Sequence, residues 1–387
     1  MLVLTQQTKM RIVMKDTKRI PSLDAVRGYA ALTVLLAHTT VAGLYNNPTI
    51  WPYLEWSPFR FLWAGHQAVI VFFVLSGFAL TMMINSANPF NMFRYLLARV
   101  ARLYIPFIAS LLFVAIVFAV MKSSGFSWEK GWMGVAKPDF NLATIVNHIG
   151  MLGFYNYFEI NPPAWSLVYE ARISIAFPLI LYFTKKLGFR FVLLSLLASM
   201  LSIFIMNSKP HLYGIDPLSS SLLTVHYSLF FTIGAYLALN VKRTNEIMNN
   251  IDKKIIFLLV IISLMLYCYP FNNGWTLSHR GLGDIVTSIG AVGLIVCSLK
   301  LKEGKFLSVG LYLGRISFSL YLIHYTILSI GLLLLYKYSP IYVWVFTIPT
   351  SIIIAHLFTK LIDNPSISLS RLMYGRKTKS ISISQAR

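Results

Sequence analysis

Charge is scarce in this chain. Only 12% of its 387 residues are Asp, Glu, Lys or Arg, about half the roughly 25% of an ordinary soluble domain. Acidic residues are the rarer sign, 13 against 34 basic ones, leaving a formal charge of +21. Cysteine occurs only at Cys268 and Cys297, both within apolar stretches. Two such residues give no disulfide framework, zinc spacing or redox pair, and they read as small core residues. The chain also lacks a Gly-rich Walker-type phosphate loop and an intramembrane cluster of metal ligands, so no metal site is expected.

What the chain has in excess is apolar surface. Apolar residues make up 57% of it and the mean hydropathy is +0.67, more than a soluble fold can hide from water. The fold class is therefore an all-α integral membrane bundle of about ten transmembrane helices, each of roughly 20 residues. Runs that fit are 25–44, 64–84, 104–121, 167–184, 191–206, 222–240, 255–270, 282–299, 316–336 and 341–362. An additional re-entrant or interfacial segment fits within 141–158. Three parts result: a basic N-terminus 1–20, a membrane domain 21–365 and a basic tail 366–387. The stretch 363–387, basic and Ser-rich, is expected to be mobile. The first apolar run holds Asp24, Arg27 and His38, which a signal-peptide core lacks, so it is expected to stay as a span.

Ten spans put both termini on one side, and that side carries 25 Lys and Arg against 7 on the other. The positive-inside bias then sets both termini in the cytoplasm of a cell inner (plasma) membrane protein. The excess charge is accounted for by topology, and no nucleic-acid partner is implied.

Ionisable groups inside apolar runs are costly and mark function or a partner. The candidates singled out are Asp24, at the edge of the first run, and Arg27, His38, Glu170, Arg172, Asp284, His324 and His356. Arg27 and His38 are eleven residues apart, which brings them within about 20° of each other and about 16 Å apart along a helix axis. Asp24 is close enough to pair with Arg27. Ser317, Tyr321 and His324 form a second stripe at helical spacing, suited to a catalytic site or to a polar helix seam. Ser166 and Glu170 share a face at the start of the fourth run. Arg99 and Arg102, one turn apart after Arg94, suit either lipid headgroups and topology or a bidentate phosphate clamp. His211 and Asp216 have the His-x4-Asp spacing of glycerolipid acyltransferases, but they sit in a short loop on the side away from cytosolic acyl-CoA and are set aside.

Taken in order, these positions resemble the acyltransferase-3 family of integral membrane O-acyltransferases. Ser22-Leu23-Asp24-Ala25-Val26-Arg27-Gly28 with His38 is similar to the first-span signature, and Phe72-Phe73-Val74-Leu75-Ser76-Gly77-Phe78 to the second-span motif. Arg99-Val100-Ala101-Arg102 resembles the Arg-x-x-Arg segment, and Trp165-Ser166-Leu167-Val168-Tyr169-Glu170 the Trp-Ser-Leu-x-x-Glu stretch. The run from Gly314 to His324 follows the late Ser–Tyr–His pattern, and Asp363-Asn364-Pro365 stands where the family commonly has Glu-x-Pro. Ile173 and Ser174 replace a common aromatic pair.

The resemblance implies transfer of an acyl group, acetyl being favoured, from acyl-CoA to a hydroxyl of a sugar or surface polysaccharide, such as an O-antigen. Acyl-CoA is then a co-substrate, no cofactor stays bound, and the partners are the bilayer, acyl-CoA and a saccharide acceptor. His38 is the expected base or covalent acyl carrier, with Glu170, Tyr321 and His324 orienting the acceptor or stabilising the oxyanion. Arg27, Arg99 and Arg102 bind the donor; Asp24, Ser166, Ser317 and Asp363 support. The chain ends before the esterase-like domain that some relatives append, so a stand-alone transferase is expected. A secondary transporter or flippase is the rival class, since it too keeps Arg, His and Glu in wet cavities; no internal repeat of the transporter kind is evident.

Reporter fusions at Asn88, Thr244 and the C-terminus should all report cytoplasm, and a fusion at Lys130 the opposite side. A cytoplasmic signal at Lys130 would overturn this arrangement.

Overall fold

The computed structural model describes residues 20–44, 49, 53–54, 57–87, 89–126, 138, 140–208, 216–268, 277–335 and 337–375. The N-terminal basic segment before residue 20, His211 and the tail beyond residue 375 lie outside them. Every regular element among the described residues is helical. They are α1 (Pro21–Leu44), α2 (Gly65–Asn85), α3 (Met92–Ser123), α4 (Leu142–Gly150), α5 (Trp165–Leu187) and α6 (Phe189–Asn207). Then come α7 (Pro217–Asn249), α8 (Lys253–Cys268), α9 (Leu277–Ser298), α10 (Lys305–Leu335), α11 (Pro340–Phe358) and α12 (Asn364–Met373).

Among the described residues, eight helices are long and apolar enough to cross a membrane. The other two expected spans are also helices, α1 with 24 residues and α8 with 16. The expected extra segment forms α4, whose nine residues reach only about 13 Å, too short for a crossing.

Local chemistry sets several boundaries. Asn91 accepts from the Arg94 amide at the start of α3, and Asp216 from the Ser219 amide ahead of Pro217 at the start of α7, both N-caps that satisfy orphan helix donors. Asp216 is thereby engaged as a cap. Gly188, at φ +58°, makes the tight link from α5 to α6 that a side chain resists. A π-helical turn, Thr359–Asp363, joins α11 to α12.

Segment 364–375 differs from the mobile end expected from its composition. It is mostly helical and docked: Ser366 and Ser370 donate to the Ala101 and Ala98 carbonyls of α3, and Tyr374 to that of Met83. Polar serines are what a short helix needs to dock against backbone oxygens, and composition alone does not reveal that use.

Two glycine crossings set the core. α1 runs along α10, the most extensive helix pair, with Gly28 against Gly310 and Gly314, and Gly314 against the Asp24 carbonyl. α2 and α7 cross at Gly77 and Gly234, each against the other's backbone. A β-carbon at any of these would run into main chain, so they act as the small-residue contacts of membrane helices. The starts of α1 and α3 and the end of α11 gather at one end of the bundle, where Arg102 meets Asp363 near Arg27.

The link from α3 to α5 folds back into the bundle. Tyr104 donates to the Ile149 carbonyl at 2.6 Å, Asn161 to that of Leu322 at 2.9 Å, and Tyr321 to that of Pro163 at 2.6 Å. Leu322 lies 17 residues into α10, about 26 Å from its start. Irregular backbone at that depth is tolerated because protein surrounds it and satisfies it. α5 therefore begins mid-bundle.

Gly314→Leu and Gly77→Leu should each abolish a stable detergent-solubilised fold, whereas Gly304→Leu, with no atom near its absent β-carbon, should melt like the parent. A normal thermal transition for Gly314→Leu would show that the α1–α10 approach is not required.

Candidate active site

A cavity opens from the end of the bundle where α1 and α3 begin. It is lined by Arg27, Arg99, Arg102, Ser166, Glu170, Ser317 and Tyr321, with Phe72, Leu80, Leu103 and Phe318 as apolar wall. Seven of the eleven residues singled out from sequence thus share one space. A larger cleft between α1, α8 and α9 is lined by residues such as Tyr29, Leu264 and Leu294, with no guanidinium, carboxylate or imidazole. The ionisable side chains therefore gather in the smaller space.

Each arginine of the cavity faces a carboxylate. Arg99 donates to Glu170 and to the Ser174 hydroxyl, both at 3.0 Å. Arg102 pairs with the buried Asp363 and stacks on the Phe318 ring at 4.7 Å. Arg27 and Asp24 stand 3.9 Å apart, with the Arg27 side chain 32% exposed. Arg99 and Arg102 hence diverge to different carboxylates, and the two-guanidinium clamp read from their spacing is not the resting arrangement. Arg99 also keeps a buried Nε–H without a hydrogen-bond partner among the described residues.

Glu170 reaches Arg99 because α5 starts deep: Tyr95 donates to the Ser174 carbonyl, fixing α5 antiparallel to α3. Ser174, part of the departure from the family pattern, thus serves as an acceptor for both Arg99 and Tyr95. Ser76 of α2 also donates to Glu170, at 3.3 Å.

The inner wall is a hydroxyl pair. Tyr321 has one proton, and the Pro163 carbonyl 2.6 Å away takes it, so Ser166 donates to the Tyr321 oxygen, also at 2.6 Å. Behind this wall, outside the cavity lining, lie the two imidazoles: His38 Nδ1 is 2.9 Å from His324 Nε2. Phe72 meets the Tyr321 ring edge-on and Tyr325 meets that of His38. The structure therefore brings His38 and His324 together, but separates them from the arginines by Ser166 and Tyr321.

Arg172 sits away from this space. It donates to the Leu152 and Gly153 carbonyls and to Ser220, and covers the Phe154 ring, pinning the returning link to α5 and α7. His356 stacks on Tyr312 at an exposed position. Cys268 and Cys297 are buried, as their surroundings predict.

Sequence reasoning singled out Asp284 but neither of its partners. His66 of α2 donates to one carboxylate oxygen at 2.7 Å, His226 of α7 to the other at 3.3 Å, and Ser199 of α6 bonds His226 Nδ1 at 2.7 Å. Ser199 has no exposed surface, so this Ser–His–Asp chain is a tie between four helices and not a nucleophile. The signal available was that His66 and His226 are themselves ionisable groups inside the runs 64–84 and 222–240, and that an intramembrane carboxylate demands a donor; that they meet at Asp284 is a matter of tertiary contact.

Fold and site define an all-helical, multi-pass membrane protein with a buried arginine–carboxylate cavity backed by paired imidazoles. The family model of an acyltransferase domain matches residues 20–360, and the chain belongs to the acyltransferase-3 family. It is similar to O-acetyltransferase OatA of Staphylococcus aureus strains NCTC 8325 / PS 47 and COL, at 23% identity over 384 residues and 91% of this chain. The chain spans 58% of the length of those relatives. No solved structure matches it.

Asp284→Ala takes the shared acceptor from the buried His226 and the half-buried His66 and should cost about 3–5 kcal/mol, read by denaturant unfolding in detergent. Ser199→Ala, losing one hydrogen bond, should cost about 1 kcal/mol. Equal small losses would show that the network is not a structural tie.

Proposed function

We propose that this membrane acyltransferase moves an acyl group, acetyl in the favoured case, from acyl-CoA to a hydroxyl of a sugar or surface polysaccharide at the cell's inner (plasma) membrane. The observation that carries the reading is the cavity: guanidiniums toward its mouth, and at its inner wall two hydroxyls backed by an imidazole pair. The relatives' name, O-acetyltransferase, favours acetyl and an oxygen acceptor.

On this reading CoA's phosphates bind at the arginine end, where guanidinium forks match phosphate oxygens. Arg27, the most exposed of the three, engages first, and Arg102 and the unpartnered Nε–H of Arg99 complete the site. Asp24 and Asp363 hold Arg27 and Arg102 in place until the anion arrives. The pantetheine arm follows the wall formed by Phe72, Leu80, Leu103 and Phe318, with Ser317 beside it, toward Ser166 and Tyr321. Motion of the Ser166–Tyr321 pair opens the way to His38 and frees a hydroxyl for the developing oxyanion. Glu170 keeps Arg99 oriented.

The acceptor oxygen attacks the thioester carbonyl carbon, so a C–O bond forms and the C–S bond breaks. His38 takes the hydroxyl proton and returns it to the departing thiolate, leaving CoA thiol and an ester. A neutral imidazole suits this exchange.

Labelled acetyl-CoA added to membranes containing the chain should transfer label to membrane glycans. His38→Gln should lower transfer by about 100- to 10,000-fold while acetyl-CoA binding stays intact. Replacing Arg99 and Arg102 together by Gln should do the reverse, weakening donor binding first. Solute movement with all label left on CoA would overturn the reading in favour of a transporter.

A further inference from the structure

The two imidazoles of the site are chemically unequal, and the hydrogen bonds around them assign the difference. His324 is 1% exposed, and its Nδ1 lies 2.9 Å from the Leu320 carbonyl one turn back. A carbonyl only accepts, so that nitrogen carries the proton, and a neutral His324 presents a lone pair at Nε2. That lone pair faces His38 Nδ1 at 2.9 Å. Two lone pairs cannot share the contact, so His38 Nδ1 carries a proton and donates. The Nε2 of a neutral His38 is then bare.

The opposite polarity requires a charged His324, protonated at both nitrogens. No carboxylate contacts either ring among the described residues, and a sealed cation among tyrosine rings has no compensating charge. The neutral chain from Leu320 through His324 to His38 pairs both nitrogens of His324 and Nδ1 of His38, and leaves Nε2 of His38 open. Exposure divides the rings the same way: His324 is sealed, whereas His38 is half-buried and keeps an open surface.

We infer that His324 is a positioning residue: it fixes His38 as the Nδ1–H tautomer, leaving Nε2 of His38 as the atom that takes the acceptor hydroxyl's proton. This rests on the reading of His38 as the base. It also revises the role that the sequence pattern gave His324, whose hydrogen bonds and ring contacts among the described residues go to His38 and to its own helix. Tyr325, edge-on to His38 with ring centroids 5.8 Å apart, limits rotation of the ring away from that contact.

The test uses the full chain in lipid, labelled with 15N-histidine, with the His38 signals identified as those missing from His38→Gln. Magic-angle-spinning NMR should show His38 neutral, protonated on Nδ1 and bare at Nε2. A proton on Nε2 would overturn the assignment.

A second arm follows acetyl transfer from acetyl-CoA to native membranes. His324→Gln keeps a carbonyl oxygen that accepts from His38 Nδ1, and should retain about a tenth or more of kcat. His324→Ala should lose about 100-fold or more, as happens when the tautomer-holding group of a serine protease is disabled. Acetyl-CoA binding should be unchanged in both. Ala within about threefold of the parent, or Gln as inactive as Ala, would overturn the positioning role. Should Ala fail to insert, the wild-type spectrum and the Gln variant decide. A fully active His38→Gln would instead overturn the reading of His38 as the base, whatever its tautomer.

Discussion

A charge placed in hydrocarbon must be met by its opposite or by a dense set of hydrogen bonds, and most of the polar architecture here follows from that constraint. An unmatched Arg or Asp at mid-membrane costs about 2.5–3.5 kcal/mol even on the mildest scale. The chain meets the cost by joining distant helices. Arg99 of α3 meets Glu170 of α5, and Arg102 of α3 meets Asp363 at the end of the π-helical turn that follows α11. Asp284 of α9 takes donors from α2 and α7. Since each partner lies on a different helix, charge neutralisation and helix placement become one requirement. α3 is tied by two such pairs and by the serines of α12, so the arginine end is held from several directions.

Close approach of helices is the second half of the same requirement, because short polar side chains meet only if backbones come near. Gly28 lies against Gly314, and ten residues further along each chain His38 lies against His324. Equal advance on both helices means that α1 and α10 run parallel in constant register, about 15 Å from the glycine contact to the imidazole contact. A pair separated by 286 residues in sequence is thus set by packing at the other end of the same two helices. The substitution that damages the imidazole pair most need not be near it.

Much of this was legible in the sequence, for identifiable reasons. Helix positions follow from long apolar runs, which hydrocarbon thickness makes nearly unambiguous, and the stripes Arg27–His38 and Ser317–Tyr321–His324 follow from helical geometry. What escaped was whatever depends on non-local depth. A span assigned to 167–184 starts at the far side of the membrane, which separates Glu170 from Arg99; the folded-back link lets α5 begin mid-bundle, and the two meet. Nothing periodic marks that return, since its anchors are single contacts such as Asn161 to Leu322 and Tyr321 to Pro163. The partners of Asp284 were hidden for the same reason, and the docking of α12 because serine-rich, basic composition is shared by mobile tails and by helices that cap backbone oxygens.

The cavity's charge balance gives the proposed donor site its order of events. Three guanidiniums face three carboxylates, so the resting cavity has little net charge to draw an anion and must rearrange to hold one. The pairs differ in how readily they yield. Arg99 is held by two partners on α5, and its carboxylate also takes a bond from Ser76. Arg102 is held by a carboxylate with almost no exposed surface and by the Phe318 ring. Arg27 stands farthest from its carboxylate and has the most exposed guanidinium of the three. On the proposed reading an incoming phosphate meets Arg27 first, because its side chain is the most exposed of the three. Binding that proceeds inward from Arg27 draws the ligand's long arm toward the hydroxyl wall, and return of the carboxylates to their arginines assists release.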